Sequence, residues 1–127
     1  MSTLLISWNA AGTLTLFLEY RGKTSHLHIA DKHLDQVLLF GINAIYKKQR
    51  IPISSLKRIG VVKQEMSLAS LRLLLSAVNS LAWALGLSVT WISQKQFENP
   101  ETIKWPKKTV LLKPTYARPA VITQPKK

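Results

Sequence analysis

Between Leu73 and Gln94 the chain carries no charged side chain, a run of 22 residues. That length could cross a bilayer, so the run is either a membrane span or a segment that a folded core hides from water. Its internal rhythm decides between them. Ser76, Asn79 and Ser80 interrupt the apolar residues, and at Gly86 the spacing changes from three and four to the alternation of Leu87, Val89 and Trp91. A helix that stops at a glycine and gives way to a strand accounts for the change; a span would keep one helical pattern. Upstream, Ser67 is placed to cap a helix from about Leu68 to Leu85, with Leu71, Leu74, Leu75, Val78, Leu81, Ala82 and Leu85 on one broad face. The reading is helix, cap, strand, with no membrane contact expected.

The rest of the chain has the composition of one small domain: 127 residues, 46% hydrophobic and 19% charged. It has no cysteine, which removes disulfides, thiolate metal sites and thiol nucleophiles and suits a reducing compartment. No basic segment followed by an apolar stretch and a small-residue cleavage site opens it, so a cytoplasmic location is expected.

Residues 3–8, Thr13 to Tyr20 and Thr24 to Ile29 read as three strands of a meander, separated by turns at Asn9-Ala10-Ala11-Gly12 and Arg21-Gly22-Lys23. Asp31 then precedes a segment in which Leu34, Val37, Leu38, Ile42 and Ile45 recur at helical spacing, predicting a helix over about 32–48. Leu56 to Val62 is a short apolar strand. The order is βββαβαβ over residues 1–93, which predicts an α/β fold with two helices packed on a mixed sheet. From Gln94 to Lys127 the composition shifts to eight bases, two acids and five of the six prolines, predicting an extended carboxy-terminal arm.

Charge is divided unevenly. Residues 1–46 hold three bases and three acids, while the remaining 81 hold fifteen bases and three acids, the whole of the +12 excess. A one-sided field of that size favours a polyanionic partner, with nucleic acid first. Lys47, Lys48, Arg50, Lys57, Arg58 and Lys63 form one basic group with no acid between them. Lys104, Trp105, Lys107, Lys108, Lys113, Tyr116 and Arg118 form a second, in which aromatic rings lie among bases. That mixture suits unpaired RNA, through stacking and phosphate neutralisation.

Groups that could do covalent chemistry are scarce, and no catalytic residue is assigned. His26 and His28 share one face of the third strand, but a zinc site would need a further ligand from the helix start at His33, so no metal is expected. The five glycines lie far apart, at 12, 22, 41, 60 and 86. No loop of freed amides is available to cradle a phosphate, and no cofactor is expected. Asp31 and Asp35 lie one turn apart at a helix start, where acids are favoured by the dipole in any case.

In order and spacing, residues 1–93 resemble the amino-terminal lobe of the TsaB (YeaZ) family, partner subunits in the synthesis of threonylcarbamoyladenosine on tRNA. The resemblance is carried by Leu4-Leu5-Ile6-Ser7-Trp8-Asn9, the meander, Lys32-His33-Leu34 opening a helix, and Ile53-Ser54-Ser55-Leu56 leading into Ile59-Gly60-Val61. The stretch from Val62 to Arg72 stands where the family has a glycine-rich loop, with Ser67 and Arg72 matching, and Ser76 to Leu87 is similar to the helix that follows. Lys113-Pro114-Thr115-Tyr116-Ala117-Arg118-Pro119 is similar to the family's carboxy-terminal ending. Ser7 replaces the family's turn aspartate and the glycine loop is gone, so the resemblance carries over no phosphate cradle.

What the resemblance implies is an actin-like ATPase (RNase H-like) lobe and a non-catalytic subunit that pairs through its two helices with a TsaD-like partner. Leu38, Ile42, Ile45, Leu71, Leu75, Val78 and Asn79 are the interface residues expected on that reading, for a TsaD-like subunit or for self-association. The basic groups would face tRNA. The alternative reading is a free-standing basic RNA-binding module.

Overall fold

Two tight turns fold the first third of the chain back on itself. Asn9 Oδ1 accepts from the amides of Ala11 and Thr13 at 3.0 and 3.1 Å, locking the first turn in an Asx arrangement. At the second, Arg21 and Gly22 both take positive φ, 53° and 78°, the conformation whose twist matches a two-residue hairpin. The result is the meander β1 (Ser2–Trp8), β2 (Thr13–Tyr20) and β3 (Lys23–Ala30). The computed structural model describes residues 1–9, 11–30 and 33–106.

Two helical crossovers then add two parallel strands. Helix α1 (Leu34–Lys48) leads to β4 (Leu56–Val62) through a short 3-10 turn at Ile53–Ser55, and α2 (Leu68–Leu85) leads to β5 (Ser88–Ile92). The sheet order is β3-β2-β1-β4-β5. β1 pairs antiparallel with β2 and parallel with β4, so the predicted mixed sheet with two packed helices is the observed one. Because each helix returns the chain from the end of one strand to the start of a parallel one, α1 and α2 run in the same direction, against β1. Element limits fall within a residue or two of those expected. The predicted start of α1 at Lys32 lies outside the described residues, and its observed N-cap, His33, makes no side-chain cap bond.

The ends of α2 follow their local chemistry. Ser67 Oγ accepts from the Ser70 amide at 3.1 Å, and Gly86 closes the helix at φ 67°. Both helices lie on one face of the sheet. There Leu4, Ile6, Leu14, Leu16, Leu18, Ile59, Val61 and Val89 meet Leu34, Leu38, Ile42, Ile45, Leu71, Leu74, Val78 and Ala82 in the main core. Gly41 sets how closely α1 approaches, since a Cβ there would stand 3.1 Å from Ile29 and 3.2 Å from Leu16. Of the described helices, α2 alone is long and apolar enough to cross a membrane. Its buried positions Leu71, Leu74, Leu75, Val78 and Ala82 face the sheet, as the spacing predicts for a core helix.

The second face of the sheet has its own cover. Over residues 94–106, the described part of the expected arm, the chain is folded. Residues 94–98 form α3 (Gln94–Glu98), a 3-10 turn follows at Pro100–Thr102, and the segment returns across the sheet. Phe97, Ile103 and Trp105 pack there on Leu5, Phe17, Val62 and Ile92. The helix is made by a capping box: Ser93 Oγ accepts from the Gln96 amide at 3.1 Å, and Gln96 Oε1 accepts from the Ser93 amide at 2.9 Å. The expected arm gives way to this folded return over residues 94–106, and the remainder, 107–127, lies outside the described residues.

One buried polar knot ties α1 to the start of the sheet. The Tyr46 hydroxyl and Ser2 Oγ are 2.6 Å apart, and the Ser55 hydroxyl is placed to donate either to Ser2 Oγ at 3.0 Å or to the Pro52 carbonyl at 2.6 Å. Burial pushes the Tyr46 pKa up to about 12, the bond to Ser2 opposing it weakly. An unfolded tyrosine ionises near pH 10, so the folded state holds this proton longer. The stability that Tyr46 gives is complete below pH 10 and is lost progressively as pH rises from there to about 12. Tyr46→Phe should cost about 1–2 kcal/mol at neutral pH and remove this alkaline dependence, as urea unfolding between pH 8 and about 11 would show.

Candidate functional site

Burial redistributes the expected interface residues. Leu38, Ile42, Ile45, Leu71, Leu75 and Val78 are all buried, and Asn79 is half-buried. The six apolar side chains belong to the core, so the isolated chain does not present them as a docking surface. The physical reason is that an amphipathic stripe turns towards whatever apolar surface the same chain offers first, and here that is the sheet. What the helices show to solvent is a different set. Leu39 is 60% and Phe40 67% exposed on α1, and Trp83 is 82% exposed on α2, with Leu68 also exposed. Arg72 is the sole charged residue of α2, leaving its outer side small and uncharged around Trp83, with Ser76, Ser80 and Ala84 exposed.

The basic residues are also regrouped. β1 begins, β2 ends and β4 begins at one end of the sheet, since Ser2 pairs with both Tyr20 and Leu56. Lys57 and Arg58 lie at that end in β4, and α1 finishes there with Lys47, Lys48 and Arg50. Lys63 follows the far end of β4, where its amide donates to the Ile92 carbonyl at 2.8 Å, so it is separated from the other five by the length of the strand. Arg21 and Lys23, in the half of the sequence with no net charge, join the group through the β2–β3 turn.

Arg58 and Trp105 find each other. The guanidinium stacks 5.1 Å from the indole ring centroid, and Arg58 Nε donates to Thr3 Oγ1 at 3.2 Å. Trp105 is therefore an anchor of the return segment as well as a half-exposed ring. Beside it opens a groove of about 430 Å³ lined by Thr3, Phe17, Glu19, Arg58, Ile103 and Trp105 among others. Lys104 is exposed. Lys107, Lys108, Lys113, Tyr116 and Arg118 lie outside the described residues.

At the opposite end, Ser7 closes β1 in a pinned environment. Gln64 Nε2 donates to Ser7 Oγ at 3.2 Å and to the Trp8 carbonyl at 2.6 Å. The segment between β4 and α2 is thus held by a side-chain clamp across two parallel strands, where a glycine loop would have left bare amides. The histidines are similarly engaged in packing: His26 meets the Phe17 ring edge-on at 4.9 Å, and His28 Nδ1 lies 3.1 Å from Thr15 Oγ1. Among the described residues no group of three or more His, Asp or Glu side chains converges on a point that could hold a metal ion.

Neither a protein-family model nor a curated protein matches the sequence. Solved structures do match its shape. YeaZ from Pseudomonas aeruginosa superposes with a TM-score of 0.68 at 16% identity, over 80% of this chain and 52% of that one. The chain has a YeaZ-like fold. A second structure, described as similar to the peptidase YeaZ from Pseudomonas aeruginosa, gives a TM-score of 0.67 at 17% identity, over 79% of this chain and 49% of that one. The chain spans about half the length of these relatives. The mixed sheet with flanking helices is the actin-like (RNase H-like) arrangement that the resemblance implies.

Within that YeaZ-like fold the Gln64 clamp is the local feature most open to test. Gln64→Ala should cost about 1 kcal/mol of stability and loosen residues 63–66. Amide exchange at those residues should quicken about tenfold while β1 and β4 stay protected.

Proposed function

We propose that the chain is a non-catalytic TsaB-like subunit that docks onto a TsaD-like partner in the formation of threonylcarbamoyladenosine on tRNA. The outward faces of α1 and α2 form the docking surface. One observation carries the reading: Leu39, Phe40 and Trp83 are large apolar side chains left mostly in water on helices whose inward faces are already fully packed. Phenylalanine and tryptophan at such exposure contribute nothing to the core of this chain, whereas at an interface they supply the rigid apolar anchors that dominate affinity. α1 and α2 run side by side in one direction and pack on each other in the main core, so they offer two adjoining ridges. The same surface would serve self-association if a second copy took the partner's place.

The supporting chemistry is that of a scaffold. Ser7 and Gln64 are hydrogen-bonded to each other at the strand end, and the half-buried and exposed bases supply charge. The test is co-expression with a TsaD-type subunit. Phe40→Glu and Trp83→Glu should each lower affinity for that subunit by roughly 30-fold or more while leaving the unfolding temperature within a few degrees, because neither side chain is buried. A chain that binds no such subunit, or variants that bind as tightly as the parent, would remove the reading. Size-exclusion chromatography of the chain alone reports whether the surface pairs copies instead.

A further inference from the structure

Arginine is a poor choice where the backbone turns left-handed, a conformation that favours glycine. Among the described residues two non-glycine positions have positive φ, and both are arginines: Arg21 at 53° and Arg50 at 56°. They lie in unrelated segments, one in a hairpin turn and the other just past α1, yet the fold delivers them to the same end. Arg21 follows Tyr20, the partner of Ser2 across the sheet. Arg50 follows the last turn of α1, whose Tyr46 touches Ser2. Lys23, Lys47, Lys48 and Lys57 share that end, and all six bases are exposed.

Helix ends attract cations, so part of this charge has an ordinary explanation. Two aligned helices finish here, each equivalent to about half a negative charge, which accounts for roughly one of the six. Glu19 and Glu101 line the groove on the second face. A local excess of several positive charges remains.

We infer that this end of the sheet is a binding surface for the phosphate backbone of single-stranded RNA, contacted by Arg21, Lys23, Lys47, Lys48, Arg50 and Lys57. From β3 to β4 the surface spans three strand spacings, about 14 Å, room for a few successive phosphates of one strand. Aromatic rings stand beside the charges, with Arg21 stacked 5.1 Å over Tyr20 and Arg58 5.1 Å over Trp105. These provide the planar faces on which unpaired bases stack. A membrane surface would instead be met by an amphipathic helix with bases along its polar face; here the bases come from a turn, a helix end and a strand. The inference does not depend on the proposed partner, and its test uses the full chain alone.

The measurement is fluorescence anisotropy of a labelled oligouridine of about 20 nucleotides, titrated over about 0.05–0.25 M salt. Affinity should fall with salt on a log–log line. R21G/R50G should flatten the slope by about 1.4 and weaken binding about tenfold or more at 0.1 M salt, with the unfolding temperature unchanged or raised because glycine suits both positions. K23S/K47S/K48S should give at least the same loss without touching either turn. K63A/K95A, at the opposite end, should leave affinity within about twofold of the parent. Three results would overturn the inference: parent-like binding by the first two variants, an equal loss in K63A/K95A, or capture by phosphatidylserine vesicles with no RNA binding.

Discussion

Everything in the structure leans on a strand that has no wet side. All seven residues of β1 are buried, so its two faces each demand a layer. The helix face receives α1 and α2, which is the ordinary outcome for a parallel strand reached by crossover connections. The opposite face receives the return of residues 94–106, which lays Phe97, Ile103 and Trp105 over Leu5, Val62 and Ile92. Burial of this kind contributes about 1.5–3 kcal/mol for each large side chain fully removed from water; the short segment brings one buried group, Ile103, and two partly buried rings, Phe97 and Trp105. Position in the sheet thus dictates which helix residues become core, and by subtraction which remain outside.

That subtraction separates what the sequence made legible from what it did not. Periodicity found the strands, both helices and the caps Ser67 and Gly86 because each is a local pattern with a local cause. Ser93 and Gln96 carried a capping-box signal three residues apart, but the prolines around them pointed to an extended arm; the pattern outweighs the composition over 94–98. The six apolar helix residues were visible as a stripe, but a stripe does not say whether it faces the chain's own sheet or another molecule. Only the packing of Leu38, Ile42 and Val78 beneath the helices answers that, and it moves attention to Phe40 and Trp83.

Charge was legible in amount and illegible in place. Lys47, Lys48, Arg50, Lys57 and Arg58 do gather, as their sequence proximity suggests, while Lys63 leaves the group because the extended residues 59–62 of β4 intervene. Arg21 and Lys23 arrive from a region with no net charge because an antiparallel hairpin returns them to the start of β1. No linear count could have made that assignment. Structural likeness to YeaZ at 16% identity fits the same lesson, since one fold can be built from largely different residues.

The cover on the second face is partial, and what it leaves open is not greasy. Thr13, Thr15, Thr24, His26 and His28 occupy the uncovered part of β2 and β3, side chains that water wets without penalty, while Phe17 at the boundary is shielded by His26 and Phe97. The sheet therefore grades from oily to hydrophilic across its own width. The described residues thus cover the apolar part of this face themselves, and what they leave open is already compatible with water.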